Sequence, residues 1–441
     1  MTNTRVAVLG GGVAGVVAAA ELARKPGIDV VLYEKAPHLG GLQHSVTIDG
    51  AAYDIGAFIF TAEHALFRVF PGLIDLFHPA RPLHRSITPA GRLDDYPATL
   101  GGFVRDNGAA RSLAALASLV YAKLRYRHRD TLPSLVHYYL GSIIYNRSGF
   151  RTYVERLYGL PDHEIDVEFA SKRLFFLADV CSLRRRAARA ITSIWKRPDD
   201  SYDQPSVFVR PQEGFSAVYD SIRERLNAGG VIVNTGAVLQ RVERGNDGGI
   251  LVHVSGDVQR FDRIVSTLPV TITTRLIGAT PPDGLEYMKL VSLFYRFRGI
   301  RGHEAAVICN LTKDGRWKRA VSFGDFYGGP AGDDYFTVEV TTRTAGAAQV
   351  AELDADFRRH AQALGFYRGV LTLAGSHVTE HAYPVYRVHE VELLRDARRR
   401  LEAWGIDLLG RQGRFDYITS SVVAANARTM AESIAEDAHA P

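Results

Sequence analysis

An α/β fold organised around a parallel sheet is what this chain predicts, on three observations from its first 34 residues. Val6, Ala7, Val8 and Leu9 form an apolar run without polar alternation, the pattern of a strand buried on both faces. Gly10, Gly12 and Gly15 follow as G-x-G-x-x-G and open an alanine- and leucine-rich helix over residues 13–24. A second strand, residues 29–33, ends on Glu34.

Each element suits dinucleotide binding. Gly10 permits a tight turn, Gly12 admits a pyrophosphate close to the backbone, and Gly15 lets the helix lie against the strand. Phosphates then meet the free N–H groups and positive end of the helix. Glu34 falls nineteen residues after Gly15, where a carboxylate accepts hydrogen bonds from ribose hydroxyls. A glycine turn alone is weak evidence, but strand, helix and acid stand here in register.

The remaining elements follow in order. Residues 47–60 read as an extended segment and 62–77 as helical; 85–88 and 92–96 make a hairpin around Pro89-Ala90-Gly91. A helix over 109–129 carries Leu113, Leu116, Leu119, Val120 and Leu124 as one apolar stripe, which reads as core-facing rather than as a contact with a membrane surface. Helices continue over 132–196. A helix over 215–227 stops at Gly229-Gly230, strands follow at 231–234, 238–244, 250–255 and 258–261, and residues 262–268 lead to a turn at Thr267. Between 285 and 382 the pattern alternates and predicts an antiparallel sheet, interrupted by a helix over 351–365. A strand over 378–385 and helices over 393–404 and 422–437 close the chain.

Composition bounds the function. With 441 residues, 46% of them hydrophobic, two to three domains are expected. Cys181 and Cys309 have no C-x-x-C spacing, which argues against a disulfide framework or zinc site and fits a reducing, cytoplasmic setting. The first strand leaves no room for a signal peptide, and no apolar run is long enough to span a bilayer. The net charge of +5 is gathered in patches, Arg184 to Arg189, Lys196-Arg197 and Arg395 to Arg400, that read as solvated helix faces. No nucleic-acid-binding motif accompanies them, so nucleic acid is not expected as a partner.

After Glu34-Lys35 come Gly40-Gly41, Leu42 and Ser45, and this continuation resembles the FAD-binding N-terminus of the amine oxidase and protoporphyrinogen oxidase superfamily. Gly56-Ala57-Phe58-Ile59-Phe60 is similar to a segment that passes beside the isoalloxazine in UDP-galactopyranose mutases and bacterial protoporphyrinogen-oxidase-like proteins. Gly410-Arg411-Gln412-Gly413-Arg414-Phe415-Asp416-Tyr417 resembles their C-terminal signature, and residues 150–173 a weaker middle motif. The resemblance implies a Rossmann-type FAD-binding domain in three parts, residues 1–75, 206–280 and 395–441. It is interleaved with a mainly helical insertion, 76–205, and an antiparallel-sheet substrate domain, 281–394.

It also implies non-covalent FAD, held by Gly10, Gly12, Ala14, Gly15, Glu34, Lys35, Gly41, Leu42, Gly56, Ala57, Phe58, Val238, Thr267, Gly410, Arg411, Tyr417, Ile418 and Thr419, with no metal. Val238 needs only its backbone N–H and C=O to meet the adenine. Since flavin carries its own redox chemistry, the protein has to supply position and a few charges. His44, His64, His377, His381 and His389 each read as structural histidines. Arg173, Tyr383, Arg411 and Tyr417 occupy positions that in the mutases grip a nucleotide-sugar diphosphate; a guanidinium fork suits that role. Phe58 and Thr419 depart from the mutase pattern, which has histidine and aspartate there. Two functions are expected from this: an FAD-dependent oxidoreductase acting on a small molecule or, alternatively, a redox-neutral nucleotide-sugar mutase.

Overall fold

The computed structural model describes residues 3–96, 100–126, 130–168, 207–327, 333–388 and 390–439. Five parallel strands form the nucleotide sheet, in the spatial order Ile406–Leu408, Arg263–Ser266, Thr4–Leu9, Ile28–Glu34, Ile232–Thr235. The first strand sits at the centre with Val6 to Leu9 wholly buried, as an unbroken apolar run requires. Helix Val13–Ala23 covers one face and packs on the C-terminal helix Ser420–His439, so both ends of the chain share one core.

A second sheet of seven strands lies beyond it, in the order Tyr367–Pro384, Tyr287–Arg301, Asp333–Thr342, Arg319–Ser322, Val307–Asn310, His84–Ile87, Leu93–Asp95. It is mixed, since His84–Ile87 runs parallel to Val307–Asn310 while the other neighbours are antiparallel. The strands between 287 and 384 pair antiparallel as expected, and the hairpin of residues 84–95 adds two further strands to the sheet, one of them parallel to its neighbour. The alternation of residues 320–327 also gives way after Ser322 to a short helix, Gly324–Tyr327. The expected extended segment over 47–60 folds as a hairpin, Ser45–Ile48 with Ala51–Asp54, because Asp49 and Gly50 both take positive φ. Pro71-Gly72 splits the helix expected over 62–77 into Ala65–Val69 and a single turn, Leu73–Leu76.

Two buried contacts tie the hairpin to the larger sheet: Ser292 donates to the Ile55 carbonyl at 2.6 Å and Thr337 to the Asp54 carbonyl at 2.9 Å. Arg210, 1% exposed, pairs with Asp54 at 2.8 Å and fixes the connection between the two sheets.

Helix Leu100–Arg125 is kinked at Gly108 and pairs with Leu132–Arg147. Here the expectation of a core-facing stripe fails. Leu113, Val120 and Leu124 are 64–66% exposed, and the helix turns Ala115 and Ala122 inward instead. The reason is close approach: Ser118 and Ser142 hydroxyls meet at 3.0 Å, and a Cβ on Gly141 would lie 2.9 Å from the Leu119 nitrogen. Small residues win the interface by letting the backbones touch, and the large ones are turned out.

Candidate functional site: a glycine edge facing a polar wall

The carboxyl ends of the parallel strands bring the predicted glycine motifs together. Gly10 has φ +103°, and a Cβ there would lie 2.4 Å from the Thr267 hydroxyl; a Cβ on Gly15 would lie 1.8 Å from the Gly10 carbonyl oxygen. Gly410, at φ +81°, faces the Ala14 methyl, with an added Cβ only 2.7 Å from it. Gly41 takes φ +56° and its Cβ would come 2.9 Å from the Gly12 Cα. Glycine at these four positions is demanded by the protein's own packing. Gly12 differs, because its Cβ would meet nothing closer than 3.7 Å. Packing leaves that position free to carry a side chain, and the open volume lies at the N-terminus of Val13–Ala23. No side chain caps this helix and no acidic residue lies in its first turn. An uncapped helix start beside an open glycine fits a pyrophosphate.

Glu34 accepts from the Gly11 amide at 2.6 Å and from the Ala36 amide at 2.7 Å, which fixes its carboxylate at the rim of this cradle. Residue 238 is drawn in beside it, since the Ala237 amide bonds the Glu34 carbonyl at 2.9 Å. Both backbone groups of Val238 meet Ser255: its N–H donates to the Ser255 hydroxyl at 3.1 Å, and its carbonyl accepts from the Ser255 amide at 2.9 Å. Lys35 is exposed and Leu42 half-buried, next to Gln43, whose side-chain amide oxygen accepts from the Tyr219 hydroxyl at 2.6 Å. Gly56 and Ala57 follow the clamped Ile55, and the Phe58 ring packs edge-on against Phe215 at 5.3 Å.

Continuing from the cradle, the segment 410–417 is stitched to the strand Tyr287–Arg301, the long strand Tyr367–Pro384 and the residues after it. Tyr287 donates to the Gln412 carbonyl at 3.0 Å, and the Tyr386 hydroxyl joins the Phe415 carbonyl at 2.7 Å and the Tyr417 amide at 2.9 Å. Arg411, Tyr383 and Tyr417 therefore do come together. The two rings meet edge-to-face at 5.2 Å, and the guanidinium lies 5.0 Å from the Tyr417 centroid and 5.8 Å from that of Tyr383. Arg411 also donates to the Ile418 carbonyl at 3.0 Å, while Thr419 is exposed. Arg173, His389, Cys181 and the basic cluster Arg184 to Arg189 lie outside the described residues.

Three site residues escaped the sequence reading. Lys318, 3% exposed, donates to the Tyr383 hydroxyl and pairs with Glu339 at 3.0 Å; Arg319 binds both oxygens of the same carboxylate at 2.7 and 2.9 Å. Burial alone would push the Glu339 carboxyl up, but Arg319 and Lys318 together hold it below its ordinary value. Burial would likewise lower Lys318, yet Glu339 keeps it above its ordinary value. A carboxylate inside the apolar run Phe336 to Val340 was the available signal. Its partners, some twenty residues earlier on the neighbouring strand, were not.

The histidines separate into two kinds. His64 is structural as expected: it accepts from the Leu66 amide at 3.2 Å and meets the Ser420 hydroxyl at 2.8 Å. His381 stands edge-on to Tyr287. His44 instead stacks on His38 at 4.5 Å and faces His377 at 6.1 Å. Burial, with the two neighbouring rings adding to it, lowers its pKa to about 4, so it is neutral at physiological pH. Among the described residues no cluster of ligands could hold a metal ion, and no helix is long and apolar enough to cross a membrane.

Comparison with known proteins bears on this geometry. The model of the family described as flavin containing amine oxidoreductase matches residues 13–300. Carotenoid phi-ring synthase of Streptomyces griseus is 38% identical over 107 residues, 24% of this chain and 19% of that protein. Hydroxyneurosporene desaturase of Rubrivivax gelatinosus is 41% identical over 66 residues, 15% of this chain and 12% of the relative. The chain thus spans under a fifth of the curated relatives it matches. Among solved structures, reduced UDP-galactopyranose mutase aligns with TM-score 0.76 at 19% identity, covering 98% of this chain and 94% of the other. A provisionally named protoporphyrinogen oxidase from Exiguobacterium sp. 255-15 gives 0.74 at 16%, covering 99% and 100%. Putrescine oxidase bound to putrescine gives 0.59 at 16%, covering 98% and 99%. At such identities the likeness is one of fold.

Proposed function

The chain belongs to the flavin-containing amine oxidoreductase family, and on that premise we propose that it is an FAD-dependent oxidoreductase acting on a small molecule held against the Tyr383–Tyr417 wall. Bound flavin supplies the two-electron acceptor. The chain's residues supply position. Gly10, Gly12, Ala14 and Gly15 present the helix start to the pyrophosphate, Glu34 the ribose contact, and Gly41 and Gly410 the close backbone approach. Lys35, Leu42, Gly56, Ala57, Phe58, Val238, Thr267, Ile418 and Thr419 complete the cofactor set. The FAD is held without a covalent bond, since the C-terminal motif has no cysteine.

The observation that favours oxidation over sugar isomerisation is how the wall's cations are used. Lys318 and Arg319 are committed to Glu339, and Arg411 to the Ile418 carbonyl and two ring faces. A diphosphate grip needs a guanidinium fork held open, and a buried carboxylate beside it is repulsive. Lys318 fixes the Tyr383 hydroxyl, so the ring presents a set edge to whatever binds there.

The mutase reading keeps one observation in its favour, the convergence of Arg411, Tyr383 and Tyr417, to which Arg173 would add a second guanidinium. One experiment separates the two. Protein reduced anaerobically is incubated with UDP-galactopyranose, and the sugar and the flavin spectrum are followed together. The oxidoreductase reading expects the sugar back unchanged; isomer formed without net flavin oxidation overturns it in favour of the mutase.

A further inference from the structure

The outward face of helix Leu100–Arg125 presents five large apolar side chains to solvent: Leu113 at 66%, Leu116 at 53%, Val120 at 64%, Tyr121 at 63% and Leu124 at 66% exposure. Ala109, Ala110, Ala114 and Ala117 are exposed beside them. Spacings of three and four residues put them on one side, a stripe about 24 Å long over the sixteen residues 109–124 at helical rise. A soluble surface tolerates single exposed leucines, but a continuous stripe marks an interaction site.

Charge identifies what covers it. Between Asp106 and Glu155 the sequence holds seven basic residues, Arg111, Lys123, Arg125, Arg127, Arg129, Arg147 and Arg151, against one acid, Asp130. That excess of six exceeds the net +5 of the whole chain, so the rest of the protein is close to neutral. Arg111 and Arg125 are exposed near the two ends of the stripe. Tyr126, Tyr138 and Tyr139 are half-buried nearby, and Lys123 lies 3.8 Å from the Tyr138 ring. A second copy of the same face would bring two excesses of positive charge together, which disfavours self-association. Apolar centre, basic ends and flanking tyrosines match the boundary between the headgroups and acyl chains of an anionic bilayer.

We propose that this helical hairpin is a peripheral docking surface for an anionic lipid bilayer, with the face of residues 109–125 lying in the headgroup boundary. The hairpin is not a detached appendage. Leu132, Val136, Val154 and Leu157 pack in one cluster with Tyr383 and Tyr417, so the surface and the aromatic wall form a single packed unit. The stripe is turned outward because Ser118, Ala115 and Ala122 take the interface with Leu132–Arg147, and it has no share in that core. The inference is independent of whether the site oxidises or isomerises its substrate.

The test uses full-length, flavin-loaded protein and co-sedimentation with large unilamellar vesicles, either phosphatidylcholine alone or an equal mixture with phosphatidylglycerol. Partition to the anionic vesicles at least tenfold above the neutral ones is expected, falling several-fold as salt is raised from 0.1 to 0.5 M, about what screening of surface charges gives. Leu113→Glu/Leu124→Glu should cut binding to anionic vesicles at least tenfold with flavin content and melting temperature unchanged. Arg111→Gln/Arg125→Gln should lower the preference for anionic lipid while leaving residual binding. The proposal is overturned if the wild-type protein ignores both kinds of vesicle or if the leucine variant binds as well as wild type. A concentration-dependent dimer that the leucine variant abolishes would also overturn it, by assigning the stripe to a second copy of the chain.

Discussion

The glycine edge and the polar wall joined to it through the segment 410–417 are built on opposite principles. At the edge the structure works by leaving atoms out: Gly10, Gly15, Gly41 and Gly410 are each held by neighbours that would collide with a Cβ. At the wall it works by enclosing charge, with Glu339 wholly buried between Lys318 and Arg319. Backbone cradles have no compensating partner to share a loss, whereas a charge cluster fails only when its balance is upset. The two regions should therefore respond differently to single substitutions.

The largest effect is expected at the edge. Gly15→Ala places a methyl 1.8 Å from the Gly10 carbonyl, and should cost more than about 3 kcal/mol, read as a fall in melting temperature together with loss of the 450 nm flavin band. Gly12→Ala sharpens the contrast, because the protein leaves room there. Stability of the cofactor-free form should change by less than about 1 kcal/mol while flavin occupancy drops. Full FAD stoichiometry in Gly12→Ala and in the bulkier Gly12→Val would show that the open volume is not the pyrophosphate site.

At the wall, Glu339→Gln leaves the buried Lys318 and the half-buried Arg319 without their shared carboxylate and should cost about 3 kcal/mol in urea unfolding. Lys318→Met should cost less, since Arg319 still binds both carboxylate oxygens. Equal losses for the two would mean that the cluster acts as a unit.

Acid should expose the buried histidines next. His64 and His303 are held neutral by burial, each with its pKa lowered from 6.5 to about 4. The unfolded chain takes up these protons more readily, so the stability they contribute is intact above pH 6.5 and lost as pH falls toward 4. Each adds up to about 1.4 kcal/mol per pH unit within that window. His303→Phe should move the acid midpoint of unfolding to lower pH, since it removes a ring that takes up a proton more readily when unfolded. An unchanged midpoint would exclude His303 as a source of the acid sensitivity. The smallest effect belongs to Tyr383→Phe, about 1 kcal/mol from the lost acceptor for Lys318, with flavin retained and turnover of an identified substrate lowered.

The same contrast explains what could be read from the sequence. Gly10, Gly12, Gly15 and Glu34 are legible because strand, turn and helix are contiguous and the spacing is dictated by backbone geometry. The C-terminal motif at Gly410 to Tyr417 was legible by resemblance, and its residues do meet Tyr383. Lys318 and Glu339 were not, since their partnership depends on the register Ala320 to Val338 and Arg319 to Glu339 between two strands, which no local pattern encodes. The stripe of residues 113–124 was misread for a related reason: its period shows that one face is apolar, but which face packs was decided by Ser118, Ala122 and Gly141. The strand His84–Ile87 joins its sheet in parallel through a long-range pairing, equally invisible to alternation.

The pairing of the two chain ends has a consequence for how the protein is made. The glycine turn leaves the ribosome well before the strand beside Arg263–Ser266, the Gly410 segment that touches Ala14 and the helix that covers Val13–Ala23, all of which lie about 400 residues later in the chain. Until residues 406–434 are made, the apolar face of the helix Val13–Ala23 lacks its main cover, and the cradle lacks one side. Flavin capture should accordingly wait for the synthesis of residues 406–434. Nascent chains arrested before residue 406 should depend on chaperones rather than on the cofactor to stay soluble.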